Sequence, residues 1–245
     1  MGVMLTALHR GVPGSPTVVV FPHAGGSPRF FQHWGTALPA TTLVGVTYPG
    51  RDTRVDVSYG DNPYGDDLVG LARSAADAIG HAGIASPVLV GHSMGAYVAY
   101  EVAAALTRAG TTDVRVAVSG QNPPDDRPTT TLHLADDADL VADMVRQDPG
   151  SAPLWQLHEV RSMFLPAVRE DYRLLETYTA TATVVAELLV CYGDRDHEVS
   201  PDRLDGWRRY AARFHPPVAL SGGHFFLKAP DAQLPRQLAG YFGLC

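Results

Sequence analysis

The fold class this 245-residue sequence predicts is α/β, a mostly parallel, doubly wound sheet, and three features predict it. Short β-branched apolar runs alternate with segments whose apolar residues recur at three and four, which is the rhythm of βαβ units. One run, Pro87-Val88-Leu89-Val90, breaks at a serine fenced by small residues and passes straight into an alanine-rich helix. A long stretch of helical pattern, about 121–185, interrupts the rhythm before the late strands and is too long for a loop. With 45% hydrophobic residues, one core suffices, so 1–245 is expected to be a single domain carrying that helical insertion.

In chain order, residues 1–16 read as a loosely held lead-in broken by Gly11, Pro13, Gly14 and Pro16. Thr17-Val18-Val19-Val20-Phe21 is a buried strand ending in the small-residue loop Pro22-His23-Ala24-Gly25-Gly26-Ser27. Strand 43–48 closes on Pro49-Gly50, and Arg51 and Arg54 follow in a polar loop. Leu68, Leu71, Ala72, Ala75, Ala76 and Ile79 mark an amphipathic helix over 64–80. After the serine, Val98, Val102 and Leu106 continue a helix that Gly110 stops, and 114–119 is the next strand. Residues 121–128 carry loop chemistry. The insertion then shows three apolar stripes: Leu140, Val141, Met144 and Val145; Leu157, Val160, Met163, Phe164, Ala167 and Val168; and Leu174, Leu175 and Tyr178. Strand 188–192 leads into the carboxylate-rich turn Gly193-Asp194-Arg195-Asp196, a helix is expected over 201–212, and Val218-Ala219-Leu220 is the last strand. A helix around 232–241 closes the fold.

Gly91-His92-Ser93-Met94-Gly95 fits the G-x-S-x-G nucleophile elbow of α/β-hydrolases, in the strand–turn–helix context that the motif requires. A serine hydroxyl is a weak nucleophile near neutral pH and needs an imidazole to take its proton and a carboxylate to hold that imidazole. Among ten histidines, His224 alone follows a late strand in a glycine-flanked loop. His23 and His92 read as supports of the oxyanion loop and the nucleophile, His215 as surface turn, and the others show no pairing at metal-ligand spacing, so no metal is expected. For the acid, Asp196 in the Gly193-x-x-Asp196 turn competes with Asp194, which reads as a cap of that turn, and with Asp125 or Asp126 after the preceding strand. Ser93, Asp196, His224 is the chain order of α/β-hydrolases and not of the chymotrypsin or subtilisin types. In that fold the oxyanion-hole amides would be those of Ala24 and Met94.

The net charge of −7 and pI near 5.7 argue against nucleic acid as a partner. Cys191 and Cys245 form no disulfide framework, no apolar run approaches the ~20 residues of a membrane helix, and no leader segment is recognisable, so a cytoplasmic protein without membrane attachment is expected. Met1-Gly2-Val3-Met4-Leu5-Thr6 fits a myristoylation pattern formally. It is discounted because Lys228 is the single lysine beside an arginine-rich remainder, a bias of GC-rich bacterial coding.

Phe21-Pro22-His23-Ala24-Gly25-Gly26-Ser27, Tyr48-Pro49-Gly50-Arg51, Gly91-His92-Ser93-Met94-Gly95-Ala96, Asp171-Tyr172-Arg173-Leu174-Leu175-Glu176-Thr177-Tyr178 and Gly222-Gly223-His224-Phe225-Phe226 together resemble the type II thioesterases that accompany polyketide synthases and non-ribosomal peptide synthetases. The resemblance runs in order through nearly the whole chain. It implies hydrolysis of stalled or aberrant acyl groups from phosphopantetheine arms of acyl or peptidyl carrier proteins, without a cofactor. It also implies the acid at Asp196 and a helical lid over about 121–185, before the strand that carries the acid. A monomer is expected. Met144, Met163 and Phe164 are the expected walls of the acyl chamber, methionine being adaptable to varied acyl shapes. A carboxylesterase or lipase with the same triad, and a hydrolase-fold binder without turnover, are the competing readings.

Overall fold

The computed structural model describes residues 3–126, 129–229, 231 and 233–244. The strands are β1 (Met4–His9), β2 (Thr17–Phe21), β3 (Thr42–Thr47), β4 (Val88–His92), β5 (Arg115–Ser119), β6 (Val185–Gly193), β7 (Ala211–Phe214) and β8 (Val218–Leu220). They form one sheet in the order β1-β3-β2-β4-β5-β6-β7, parallel throughout except for β1 on β3. β4 sits mid-sheet between β2 and β5, and all five of its residues are buried. A strand covered on both faces has no polar side to show, which is why β2 and β4 read as continuous apolar runs rather than alternations.

The helices are α1 (Trp34–Ala37), α2 (Leu68–His81), α3 (Met94–Arg108), α4 (Asp137–Gln147), α5 (Ala152–Trp155), α6 (His158–Thr177) and α7 (Gln233–Phe242). α2 starts at its cap Asp67, whose side chain accepts the Gly70 N–H at 2.6 Å. α2 and α3 cover one sheet face, with Leu71, Ile79, Tyr97 and Val102 fully buried against Phe21, Leu89 and Val118. α7 with Phe31 and Trp34 covers the other face over Val18, Val90 and Leu189. A third, smaller apolar cluster joins α4 to α6 through Leu140, Val141, Leu165, Val168 and Tyr172, and Ala24 packs against it.

Several sequence expectations are corrected. Residues Met4–His9 are not loose lead-in but an edge strand, paired antiparallel in register Met4↔Thr47 to Ala7↔Val44. No side chain of β1 is fully buried, so the strand lacks the apolar run that marks its neighbours. The helix expected over 201–212 is a 3₁₀ helix, Pro201–Tyr210, and Ala211–Phe214 is a strand. β7 pairs with the first half of β6 and β8 with its end, so both lie along one side of that long strand. The second and third stripes of the insertion belong to one helix, α6, which continues through Pro166. His215 is no free surface turn: its Nε2 lies 2.7 Å from Glu187 Oε1 and its ring packs against Tyr241. Arg127 and Pro128 of the 121–128 loop, the Met1-Gly2 start, residue 232 at the head of the last helix and Cys245 lie outside the described residues.

Candidate active site

Ser93 follows β4 at φ 55 and ψ −122, a left-handed conformation that an L side chain rarely adopts. The surrounding packing forces it. A Cβ on Gly95 would lie 2.1 Å from the Phe21 carbonyl oxygen and one on Gly91 1.8 Å from that of Gly95, so the helix start lies directly against the end of β2. The Ser93 N–H donates to Ser119 O at 2.8 Å, fastening the elbow to β5. α3 begins at Met94, so the Met94 N–H is among the amides at a helix N-terminus that have no intrahelical acceptor.

Asp196 and His224 arrive on two loops that are bonded to each other. Asp194 N–H donates to Leu220 O and Arg195 N–H to Gly222 O, at 2.8 and 2.9 Å. The Asp194 carboxylate accepts from the Gly222 N–H at 2.9 Å, so it braces the histidine loop rather than capping its own turn. His224 Nδ1 lies 2.9 Å from Asp196 Oδ2, with side-chain exposures of 4% and 0%. A carboxylate accepts, so Nδ1 carries the proton and Nε2 presents its lone pair. Nε2 is buried without a hydrogen-bond partner among the described residues, and His224 lines the same cavity as Ser93. The other Asp196 oxygen accepts the Glu198 N–H at 2.9 Å. Asp125 and Asp126 instead form exposed ion pairs with Arg209 and Arg203. Of the four carboxylates considered for the acid, only Asp196 lies on the imidazole.

The loop after β2 turns back on itself, with the Gly26 N–H donating to His23 O at 2.9 Å. Asp171 of α6 accepts the Gly25 N–H on Oδ2 at 2.7 Å, and its Oδ1 receives Arg51 Nη2 at 2.7 Å and the Tyr59 hydroxyl. Arg51 also donates to Gly26 O at 3.1 Å and to Pro49 O at 3.2 Å. Burial alone would favour loss of the Arg51 proton, but the Asp171 carboxylate more than offsets this and holds the charge.

Two cavities, of about 110 and 130 Å³, share Ser93, Gln147, Tyr172 and Leu175. The first extends past His224 and Gln121 to Arg146 and Glu198, and the second past Ala24 to Met144, Trp155 and Phe225. Asp143 Oδ2 accepts from Tyr172 Oη at 2.7 Å and from Gln147 Nε2 at 2.8 Å, so a hydrogen-bonded group from α4 and α6 stands beside both cavities. The inserted helices thus face the serine. Met144 lines the second of these cavities. Met163 and Phe164, also expected as chamber walls, do not: they are 63% and 39% exposed, and neither lines a cavity at Ser93. Leu165, Val168 and Tyr172 occupy the inner face of α6; at 100° per residue position 163 points to the opposite side, and position 164, one turn before Val168, lies at the flank of that face.

His92 Nδ1 lies 3.1 Å from Ser119 Oγ, and its ring stands 4.8 Å from that of His224. Burial first, then the neighbouring His224, hold His92 well below the usual histidine range. The same two causes push His23 down to about 3, where it packs edge-on to Phe30 and Phe225. Both rings therefore stay neutral beside His224. Residue patterns missed Asn122, 1% exposed, whose side chain accepts the Ser200 N–H and donates to Glu198 O. It ties the acid loop to the end of β5, and an asparagine in an ordinary loop gives no signal of that.

Residues 16–240 match the model of the thioesterase domain family. A probable cadicidin biosynthesis thioesterase of Streptomyces griseus is 32% identical over 91% of the chain, and the chain spans 61% of that relative's length. Thioesterase PikA5 of Streptomyces venezuelae is 30% identical over 92% of the chain and 80% of its own. Among solved structures, YbtT, a type II thioesterase from a yersiniabactin NRPS/PKS biosynthetic pathway, superposes with a TM-score of 0.85 at 28% identity, covering 98% of both chains. The type II thioesterase BorB from a borrelidin biosynthetic cluster superposes at 0.82 with 27% identity, over 98% of this chain and 97% of its own.

Proposed function

The chain belongs to the thioesterase domain family, and from that premise we propose that it hydrolyses acyl thioesters held on the phosphopantetheine arms of carrier proteins, clearing stalled or aberrant acyl groups in polyketide or non-ribosomal peptide assembly. The observation that carries the reading is the buried His224–Asp196 hydrogen bond, with His224 lining the same cavity as Ser93. In the proposed reaction the Ser93 hydroxyl attacks the thioester carbonyl and passes its proton to His224 Nε2, while Asp196 stabilises the imidazolium. The Ala24 and Met94 amides receive the oxyanion. Collapse of the tetrahedral intermediate breaks the C–S bond, the thiol leaves with the proton from His224, and a water activated by the same ring releases the acid from Ser93. The insertion acts as a lid that excludes bulk water and receives the acyl chain.

Ser93→Ala tests the chemistry: the fold should persist and turnover fall on the order of 10⁶-fold. One acyl group offered on a carrier protein, on coenzyme A and on a short pantetheine mimic tests the substrate. Preference for the carrier supports the reading, since carrier contacts add binding energy remote from the reacting carbon. Equal efficiency on all three would turn the assignment into a general thioesterase or esterase.

A further inference from the structure

Asp171 sits on the helix that roofs the site, faces no reacting atom, and is fully buried as a charged group. Burying a carboxylate is costly unless each lone pair is used, and here each oxygen is: Oδ2 takes the Gly25 N–H, and Oδ1 takes Arg51 and the Tyr59 hydroxyl. What this carboxylate holds is the loop bearing Ala24. A trans peptide sets its C=O and N–H on opposite sides, so pinning one aims the other. His23 O is pinned by the Gly26 N–H, which fixes the direction of the Ala24 N–H on the same peptide. The next peptide is pinned by Asp171 through the Gly25 N–H, and the Gly26 carbonyl by Arg51. Gly25 reaches this geometry at φ +73, with its α-carbon so near α6 that an added Cβ would lie 2.9 Å from Val168 Cγ2.

We propose that Asp171, paired with Arg51, is the positioning residue of the oxyanion hole: the lid helix holds in place the turn whose own Gly26–His23 hydrogen bond aims the Ala24 amide at the developing charge. This rests on the reading of Ser93 and Ala24 given above. An amide misdirected by a fraction of an ångström loses much of its worth in the transition state while ground-state binding hardly changes.

The test compares the parent protein with Asp171→Asn and Arg51→Lys. Ser93 is first titrated with a fluorophosphonate to count active sites; kcat, KM and inhibition by an aryl boronic acid, whose tetrahedral serine adduct uses the same amides, are then measured per active site. Removing one oxyanion donor costs about 10²–10³ in kcat, so a displaced donor should cost roughly tenfold or more, with KM within about threefold and boronate inhibition weakened in parallel. Arg51→Lys keeps the charge beside Asp171 but not the fork that also reaches Gly26 O, and it asks the same question if Asp171→Asn does not fold. Parent-like kcat and boronate affinity per titrated site in either folded variant would overturn the proposal. A parent protein not labelled at Ser93 would overturn the hydrolase reading instead, and the proposal with it.

Discussion

Arg146 of α4 forms an ion pair with Glu198, two residues beyond Asp196, so the roof over the serine is latched to the loop that carries Asp196. Glu198 serves both ends: its backbone N–H holds Asp196 Oδ1, and its carboxylate holds the helix above. Arg146 also reaches Asp143, and its charge is held on by hydrogen bonds to Glu198 and Asp143. The guanidinium is half exposed, however, and water and salt weaken such pairs.

Arg146→Met should therefore change stability by only about 0.2–1 kcal/mol and raise KM by no more than roughly fivefold. The gap between parent and variant should close near 1 M salt, where the screening length shrinks to ~3 Å. Steady-state kinetics at two ionic strengths check this, and the reversed pair Arg146→Glu with Glu198→Arg should recover part of the loss.

Asp196→Asn keeps the shape of the side chain but offers an amide where His224 Nδ1 needs an acceptor, and should lower kcat by about 10⁴-fold. Asp125→Asn and Asp126→Asn, whose carboxylates form exposed ion pairs with Arg209 and Arg203, should leave kcat near the parent value. Asp194→Asn weakens one bond to the histidine loop and should fall between. A loss at Asp125, Asp126 or Asp194 as large as at Asp196 would relocate the acid.

His23 gives the fold an acid-sensitive element. Its folded pKa of about 3 lies below the ordinary histidine value of 6.5, because burial and the positive charges of His224, Lys228 and Arg51 all oppose its protonation. Between those values the unfolded chain binds the extra proton, so stability falls as pH drops from 6.5 towards 3 and this contribution stops changing below. His92 acts in the same direction. Urea midpoints measured at pH 7 and pH 4 should differ less in His23→Asn than in the parent; an unchanged difference would sink the assignment.

Selectivity for acyl length should respond to Met144 and not to Met163. Met144 lines the cavity beyond Ala24, whereas Met163 stands in a separate groove with Pro49, Tyr59 and Pro166. Met144→Ala should shift the ratio of kcat/KM between long and short acyl thioesters by roughly tenfold, since each methylene in such a pocket is worth about 1–3 kcal/mol. Met163→Ala should leave the ratio unchanged.

What the residues disclosed in advance follows from physical range. β2, β4 and the elbow are local events, a buried β-branched run or a serine among glycines, and local pattern finds them. β1 and β7 are edge strands of half-exposed residues, defined by the strand they pair with rather than by their own composition. Ser93, Asp196 and His224 were legible because motif and chain order both constrain them. The direction in which a helical side chain points was not, since the stripe containing Met163 and Phe164 gives a period without saying which flank of it meets the core. Asn122 and the Arg51–Asp171 pair join residues 76 and more apart in sequence, and no window of sequence contains both partners.

Glu101 of α3, 1% exposed, accepts from the Tyr178 hydroxyl, the Thr181 N–H and the Thr181 hydroxyl at 2.7, 2.9 and 2.7 Å, so the chain leaving α6 is moored to the helix that begins directly after Ser93. For anyone recombining acyl selectivity between relatives, this sets the crossover points. A swapped cassette spanning the whole insertion replaces the partners of Glu101 and Arg51, and one without an aspartate at 171 and a tyrosine at 178 would leave two orphaned charges in the core of the host. A shorter cassette confined to α4 and α5 exchanges chamber walls such as Met144 and Trp155 while Asp171 and Tyr178 stay with the scaffold that they grew up on.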